Sequence, residues 1–159
     1  MTILNPSHCN TVALIEALNT FTDPGDDGEI FNVEDEKDTA ACRELDMTAK
    51  IDWLWKVHGN LYGVGVRSQA SSKDYGTITL RNSEVKAFEV ARSYGTLAPR
   101  LFVHAYKDWS VVHVVDLVKM FSDVTPIGRQ MTNRQDGKGF IAYPLTDIGG
   151  AYLGTWRAS

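Results

Sequence analysis

The sequence has few of the features that mark secreted, disulfide-bonded or membrane proteins. Its two cysteines, Cys9 and Cys42, lie far apart and form no CxxC pair, so we expect no disulfide framework and a reducing cytoplasm. No apolar run approaches the roughly 20 residues that a membrane-spanning helix needs. The N-terminus MTILNPSHCN lacks the basic start and apolar stretch of a secretory signal. Repeats and low-complexity tracts are also missing, and 159 residues suit a single domain over 1–159.

Charge is unevenly distributed along the chain. Ten of the twenty acidic residues fall between Asp23 and Asp46, although the net charge is only −4. The rest of the chain therefore holds fourteen Lys and Arg against ten Asp and Glu. This balance is compatible with a basic nucleic-acid-binding face on the later part of the fold.

The first half of the chain predicts two helices and then three strands. Apolar residues at helical spacing predict an amphipathic helix over 8–21, followed by an acidic loop over 22–38 and a second helix over about 38–46. Alternation of apolar and polar residues from Ile51 predicts a strand that buries Trp53 and Trp55. A turn at 58–60 and further strands over 61–66 and 77–80 follow, joined by a polar loop.

The second half predicts a helix, a hairpin and a basic C-terminal segment. Asn82 or Ser83 can cap a helix that ends at Gly95, because each offers a side-chain oxygen to the first turn. Residues 101–106 and 110–115 form the clearest hairpin, and 116–121 a short helix. A long basic loop, a strand over 140–143 and a final helical turn complete a C-terminal loop and cap over 122–159. The order predicts an α/β domain with a central mixed β-sheet flanked by helices.

Three residues of the predicted hairpin invite a functional interpretation. His104 and His113 stand on opposite arms and could come close, but they have no third ligand nearby for zinc and are predicted as sheet-surface residues. Trp109 falls at the hairpin tip, where an exposed aromatic side chain would offer a contact for a base.

The stretch KIDW, the later GVGVRSQ and the following TITLR resemble the core of the PD-(D/E)XK nuclease-like superfamily, which includes restriction-endonuclease-like and Holliday-junction-resolvase-like proteins. The resemblance covers residues 38–115 and is closest to phage and mobile-element members. Asp52 matches the metal-binding aspartate of that pattern. Gly65 replaces its second acid or glutamine, and Arg67 replaces its lysine.

The resemblance implies a restriction-endonuclease-like fold and a Mg²⁺-dependent DNA endonuclease or resolvase. Asp52 would bind the metal together with Asp46, with Glu44 as an alternative carboxylate, and Glu84 or Glu89 on the following helix could replace the missing acid. Arg67 and Gln69 would hold the scissile phosphate. Members of the superfamily often act as dimers, so the resemblance also implies a homodimer.

Several basic and polar residues are candidates for contact with the DNA backbone. Phosphate contacts are made mainly by Arg and Lys, with help from amide side chains. The candidates are Lys50, Gln69, Arg81, Arg129, Arg134 and Lys138.

The sequence leaves three functions open. The first is the metal-dependent nuclease, and the second is a nucleic-acid-binding module on the same fold without catalysis. The third is a protein-interaction module, such as a small phage regulator, whose acidic segment 23–46 binds a basic partner. The loss of the second acid at Gly65 is what separates the first function from the others.

Overall fold

The computed structural model describes residues 10–22, 28–32, 52–57, 60–69, 73–93, 100–122 and 127–159. These ranges contain both helices and strands, as the sequence predicts. In chain order they are α1 (Thr11–Thr22), β1 (Glu29–Asn32), β2 (Trp53–Val57), β3 (Asn60–Ser68), β4 (Thr77–Arg81), α2 (Asn82–Ser93), β5 (Arg100–Tyr106), β6 (Val111–Asp116), α3 (Leu117–Ser122), β7 (Arg129–Thr132), β8 (Gly139–Pro144), two 3-10 turns (Leu145–Asp147 and Gly149–Ala151) and β9 (Tyr152–Arg157).

The strands form two sheets. The main sheet has the order β1-β2-β3-β5-β6-β9, and the small sheet has the order β4-β8-β7. Strands β3 and β5 run parallel, while every other neighbouring pair is antiparallel. This topology confirms the predicted α/β class with a mixed central sheet.

Both faces of the main sheet are buried. One apolar cluster joins α1 to the sheet through residues such as Leu14, Leu18 and Trp55. The other joins the sheet to α2, α3 and the small sheet through residues such as Phe88 and Phe121. All seven residues of β5 are consequently buried, including the polar Arg100 and His104.

Helix α1 is set by its cap and its apolar stripe. The Asn10 side chain accepts a hydrogen bond from the Ala13 amide at 3.1 Å, which satisfies one of the unpaired donors of the first turn. Ala13, Leu14, Ala17 and Leu18 are buried against the sheet. The helix predicted over 8–21 is confirmed over 11–21. Residues 8 and 9 of the prediction lie outside the described ranges.

Three strands differ from the sequence prediction. The predicted acidic loop contains β1, and the predicted basic loop contains β7. The predicted final helical turn is present as two 3-10 turns, but the strand β9 follows it. Each of these strands lies at the edge of a sheet. Their pairing partners determine their conformation, because short polar edge strands have little local signal of their own. The predicted helix over 38–46 lies outside the described residues.

Strand β4, the third strand predicted in the first half of the chain, lies outside the main sheet and pairs with β8. Helix α2 follows it directly, so the connection places the first turn of α2 beside the end of β3. No helix in the described part of the chain is long and apolar enough to cross a membrane.

Candidate functional site

The candidate site lies at the end of β3, over Gly65 to Arg67. Strand β3 is central, with β2 on one side and β5 on the other. Gly63 and Gly65 have no side chains to fill the space above them, and they line a crevice together with Glu84, Val85 and Phe88 of α2. The crevice therefore lies between β3 and the first turns of α2.

Asp52 is fixed against this stretch from the β2 side. Its carboxylate Oδ2 accepts a hydrogen bond from the Val66 amide at 3.0 Å. Its own amide donates to the Val64 carbonyl oxygen at 3.0 Å, so backbone contact with β3 continues beyond Trp53. Asp52 thus takes over as acceptor for a strand amide just after Gly65, and its half-buried side chain is held in place.

Arg67 is fixed from the α2 side. Its Nη2 forms an ion pair with Oε1 of Glu84, and each side chain is only 20% exposed. The same Oε1 accepts the Arg81 amide at 2.8 Å, the reach-back bond of a helix capping box. Arg67 is therefore held against the first turn of α2 and is not extended into solvent.

A row of polar residues continues from Arg67 across the main sheet. The register places Arg67 beside His104, His104 beside His113, and His113 beside Thr155. His104 and His113 are 0% and 2% exposed. The prediction that they are sheet-surface residues is wrong, because the small sheet and the segment before β4 cover this face.

His104 is held as a neutral imidazole. Its Nδ1 accepts the Thr79 amide at 3.1 Å, so the neutral ring carries its proton on Nε2. Burial, followed by the positive charge of Arg67, lowers its pKa from 6.5 to about 3. Within the described ranges, His104 Nε2 and Arg67 Nε are both buried without a hydrogen-bond partner. These two donors lie on neighbouring strands, where a bound acceptor such as a phosphate oxygen would satisfy them.

His113 is paired on both ring nitrogens. Its Nε2 lies 2.9 Å from Oδ1 of Asp74, and its Nδ1 lies 2.7 Å from the Thr155 hydroxyl. Burial alone would raise the pKa of Asp74, but the hydrogen bonds from His113 and the Gly76 amide hold it below its ordinary value. Because its carboxylate and hydroxyl partners saturate it, this histidine is better placed to support the fold than to bind a ligand.

The remaining predicted residues fall into three groups. Asp46, Glu44 and Lys50 lie outside the described residues, so the predicted metal pair of Asp52 and Asp46 stays a prediction. Gln69 follows β3, and its amide donates to the Ala105 carbonyl oxygen at 2.8 Å. The basic residues lie exposed on the small sheet and its β7–β8 turn, namely Arg81, Arg129, Arg134 and Lys138.

Burial and position decide the status of Trp109 and Glu89, two of the remaining candidates. Trp109, predicted as an exposed contact at the hairpin tip, is only 5% exposed and belongs to the α1 cluster. Glu89 is exposed on α2 and does not line the crevice, whereas Glu84 does. Of the two acids that could replace the one missing at Gly65, the structure brings only Glu84 to the site.

Metal ligands are sparse where the chain is described. No group of three or more His, Cys, Asp or Glu is arranged there to hold a metal ion. The acids that approach the Gly65–Arg67 stretch are Asp52 and Glu84, one from each side. Sequence reasoning did not identify His104 as part of this site, because its burial beside Arg67 depends on the covering sheet.

Solved structures similar in fold to this chain include two nucleases. One is a Holliday junction resolvase from Archaeoglobus fulgidus, with 9% identity, 87% of this chain and 89% of that chain covered, and a TM-score of 0.42. The other is a nuclease from a fusellovirus, with 11% identity, 86% and 77% covered, and a TM-score of 0.41. No protein-family model and no curated protein matches the chain.

Proposed function

We propose that the protein is a metal-dependent phosphodiester hydrolase of the DNA endonuclease or resolvase type, acting at Gly65–Arg67. One observation carries the proposal: two carboxylates grip consecutive residues of β3 beside a glycine. Asp52 holds the Val66 amide, and Glu84 holds the Arg67 guanidinium. Glu84 thus supplies from α2 the acid that Gly65 lacks.

The donor set suits Mg²⁺, which binds one or two carboxylates and keeps several waters. Asp52 and Glu84 would hold it, with Asp46 or Glu44 as further candidates. When bound, the ion polarises a phosphate oxygen and lowers the pKa of a water molecule. The bonds of Glu84 to Arg67 and to the Arg81 amide both use Oε1, so Oε2 is the oxygen that these two bonds leave for a ligand.

The protein's own residues would bind and orient the phosphate. Because Gly65 carries no side chain, a phosphodiester would approach the β3 backbone closely at this point. A guanidinium binds phosphate through two parallel hydrogen bonds and stays protonated, so Arg67 would stabilise charge rather than accept a proton. Glu84 fixes the direction of Arg67, and Gln69 follows it at the strand end.

A non-catalytic nucleic-acid-binding module is the second candidate. The observation that favours it is the ion pair itself, because the positive charge of Arg67 lies on the carboxylate that a metal would need. In this alternative the crevice binds a phosphate and leaves it intact. The pair would then open when the phosphate replaces Glu84 on Arg67.

Cleavage assays separate the two candidates. The full chain is incubated with supercoiled, branched and single-stranded DNA in Mg²⁺, in Mn²⁺ and in EDTA. A metal-dependent hydrolase should cleave DNA in Mg²⁺ or Mn²⁺ and should not cleave it in EDTA. The Glu84→Gln variant should lose this cleavage. Glu89→Gln is the matched control, because Glu89 is exposed on the same helix away from the crevice. DNA binding without cleavage in either metal would replace the first candidate with the second.

A homodimer is part of the proposal, by analogy with enzymes that cut both strands of a duplex. Light scattering of the chain, whose mass is 17.7 kDa, would show twice that mass for the dimer. A monomer that cleaves both strands would rule the dimer out.

A further inference from the structure

The small sheet turns an aromatic and basic face away from the core. Its register aligns Arg81 of β4, Phe140 of β8 and Met131 of β7 in one row. Side chains alternate along strands, so Arg129, two residues before Met131, lies on this same face. The neighbouring Ile141 points to the opposite face and packs into the second apolar cluster. We call the outward residues Arg81, Arg129, Met131 and Phe140 the basic face.

The basic face is open within the part of the chain that is described. All four residues of β7 are exposed, and Met131 is 39% exposed. Phe140 is half-buried and belongs to neither apolar cluster, unlike Ile141 and Tyr143 beside it. Phe140 therefore lies between Arg81 and Met131 in the row, outside both clusters.

The β7–β8 turn adds positive charge next to this face. Arg134 and Lys138 are exposed there, and the turn is closed by hydrogen bonds between Asn133 and Lys138 and between Gly137 and Asn133, both 2.9 Å. Its one acid, Asp136, already accepts the Lys138 amide at 2.9 Å. The turn is thus a rigid extension of the ribbon that carries two cations.

We infer that the basic face binds single-stranded nucleic acid, with a base stacked on Phe140 and phosphates bound by Arg81 and Arg129. An unpaired base exposes a flat ring surface that a half-buried phenyl ring can contact, whereas the bases of a duplex stack on one another. Arg81 and Arg129 lie on different strands of this face, so they would contact different phosphates of one strand. An acidic protein partner would meet the charges but would leave Phe140 without a stacking role.

The basic face connects directly to the candidate site. The Arg81 amide binds the same Glu84 oxygen that holds Arg67. A strand bound along β4 towards α2 would therefore run towards the crevice. The inference deepens the proposed function, on which it rests for the nature of its ligand, and it assigns a single-stranded or frayed segment as the substrate.

Binding can be measured without cleavage by fluorescence anisotropy in EDTA. The probes are a labelled oligo-dT and a blunt duplex of equal length, at low salt and across a salt series. We expect the single strand to bind more tightly, and Phe140→Leu to weaken it about tenfold while Phe140→Tyr binds like the wild type. Leucine keeps the apolar volume and removes the ring, so a folding defect is separated by comparison with the tyrosine variant.

Charge is tested in the same series with Arg129→Gln. Its loss should lower the magnitude of the salt slope by about 0.7, the value for one phosphate contact on a single strand. Tyr75→Leu and Lys56→Gln are matched controls, because both residues are exposed elsewhere on the chain. Neither control should change the affinity for oligo-dT more than about twofold.

Three results would overturn the inference: duplex bound as tightly as the single strand, Phe140→Leu binding like the wild type, or Phe140→Leu dissolving a dimer without changing oligo-dT affinity. The last would assign the face to contact between copies of the chain. Failure of the proposed function would give a different result. Oligo-dT binding would still depend on the Phe140 ring, but no DNA would be cleaved in Mg²⁺ or Mn²⁺.

Discussion

Glu84 stabilises two neighbours with one oxygen, the guanidinium of Arg67 and the amide of Arg81. The side chains of Arg67 and Glu84 are each 20% exposed, so solvent screens their ion pair. Together, the ion pair and the helix cap stabilise the fold by about 1–2 kcal/mol. We expect Glu84→Ala to lower the free energy of unfolding by that amount, measured by urea denaturation. Glu84→Gln should lose less, because its amide oxygen can still accept the Arg81 amide.

Glu89→Ala is the control for this measurement, since Glu89 is exposed on the same helix. It should change stability by less than about 0.5 kcal/mol. Equal losses for the two alanine variants would mean that Glu84 makes no special contribution.

His104 should make the protein sensitive to acid. Its pKa is about 3 in the folded protein against 6.5 as the ordinary value, so the unfolded chain binds more protons between these pH values. The contribution of His104 to stability is therefore complete above about pH 6.5 and is lost as the pH falls towards 3. Asp74, whose pKa is also lowered, contributes in the same direction below its ordinary value of 3.8.

His104→Gln tests this acid sensitivity, because glutamine can accept the Thr79 amide but does not titrate. The free energy of unfolding, measured by urea denaturation from pH 7 to pH 4, should fall for the wild type. The slope from this one proton is up to about 1.4 kcal/mol per pH unit. The variant should show a flatter profile. Parallel profiles would show that His104 does not differ in protonation between the folded and unfolded states.

Helix α1 packs against β9 through a glycine. A Cβ atom at Gly154 would lie 2.2 Å from the Phe21 ring, which is too close for any side chain. We expect Gly154→Ala to destabilise the protein by about 1–3 kcal/mol, since α1 must shift on the sheet. Thermal denaturation gives the comparison.

Gly150→Ala is the matched control, because a Cβ atom there would have nothing within 4 Å. Its midpoint should stay close to that of the wild type. A Gly154→Ala variant as stable as this control would contradict the close approach of α1 and β9.

The elements that the sequence predicted well are those with a strong local pattern. Alternation around Trp53 and Trp55 and the apolar run of β5 identify central strands, because burial leaves a direct record in those residues. β1 and β7 have polar or mixed sequences and are strands only because β2 and β8 pair with them. Such information is non-local and does not appear in a window of the sequence.

The candidate site was predicted in part for the same reason. Asp52 and Arg67 stand out because each interrupts an apolar strand. Glu84 was one of two candidate acids on α2, and only the course of β4 away from the main sheet decides which of them meets Arg67. His104 gave no signal of its place in the site, since an isolated histidine in an apolar strand does not reveal what covers it.

The two candidate sites lie on different sheets of the molecule. The main sheet carries the crevice at Gly65–Arg67, and the small sheet carries most of the described basic candidates, while the net charge of the molecule is −4. A local basic face on an acidic protein favours contact with nucleic acid only through that face. The central claim remains that Asp52 and Glu84 act as one unit across Gly65.

A double-mutant cycle on cleavage tests that claim most directly. Single-turnover rates in Mg²⁺ are measured for the wild type, Asp52→Asn, Glu84→Gln and the double variant, all of which keep hydrogen-bond acceptors at both positions. If the two carboxylates serve one site, each single variant loses roughly 100-fold or more, and the double variant loses little beyond either single one. Cleavage that survives both substitutions at the wild-type rate would contradict the account.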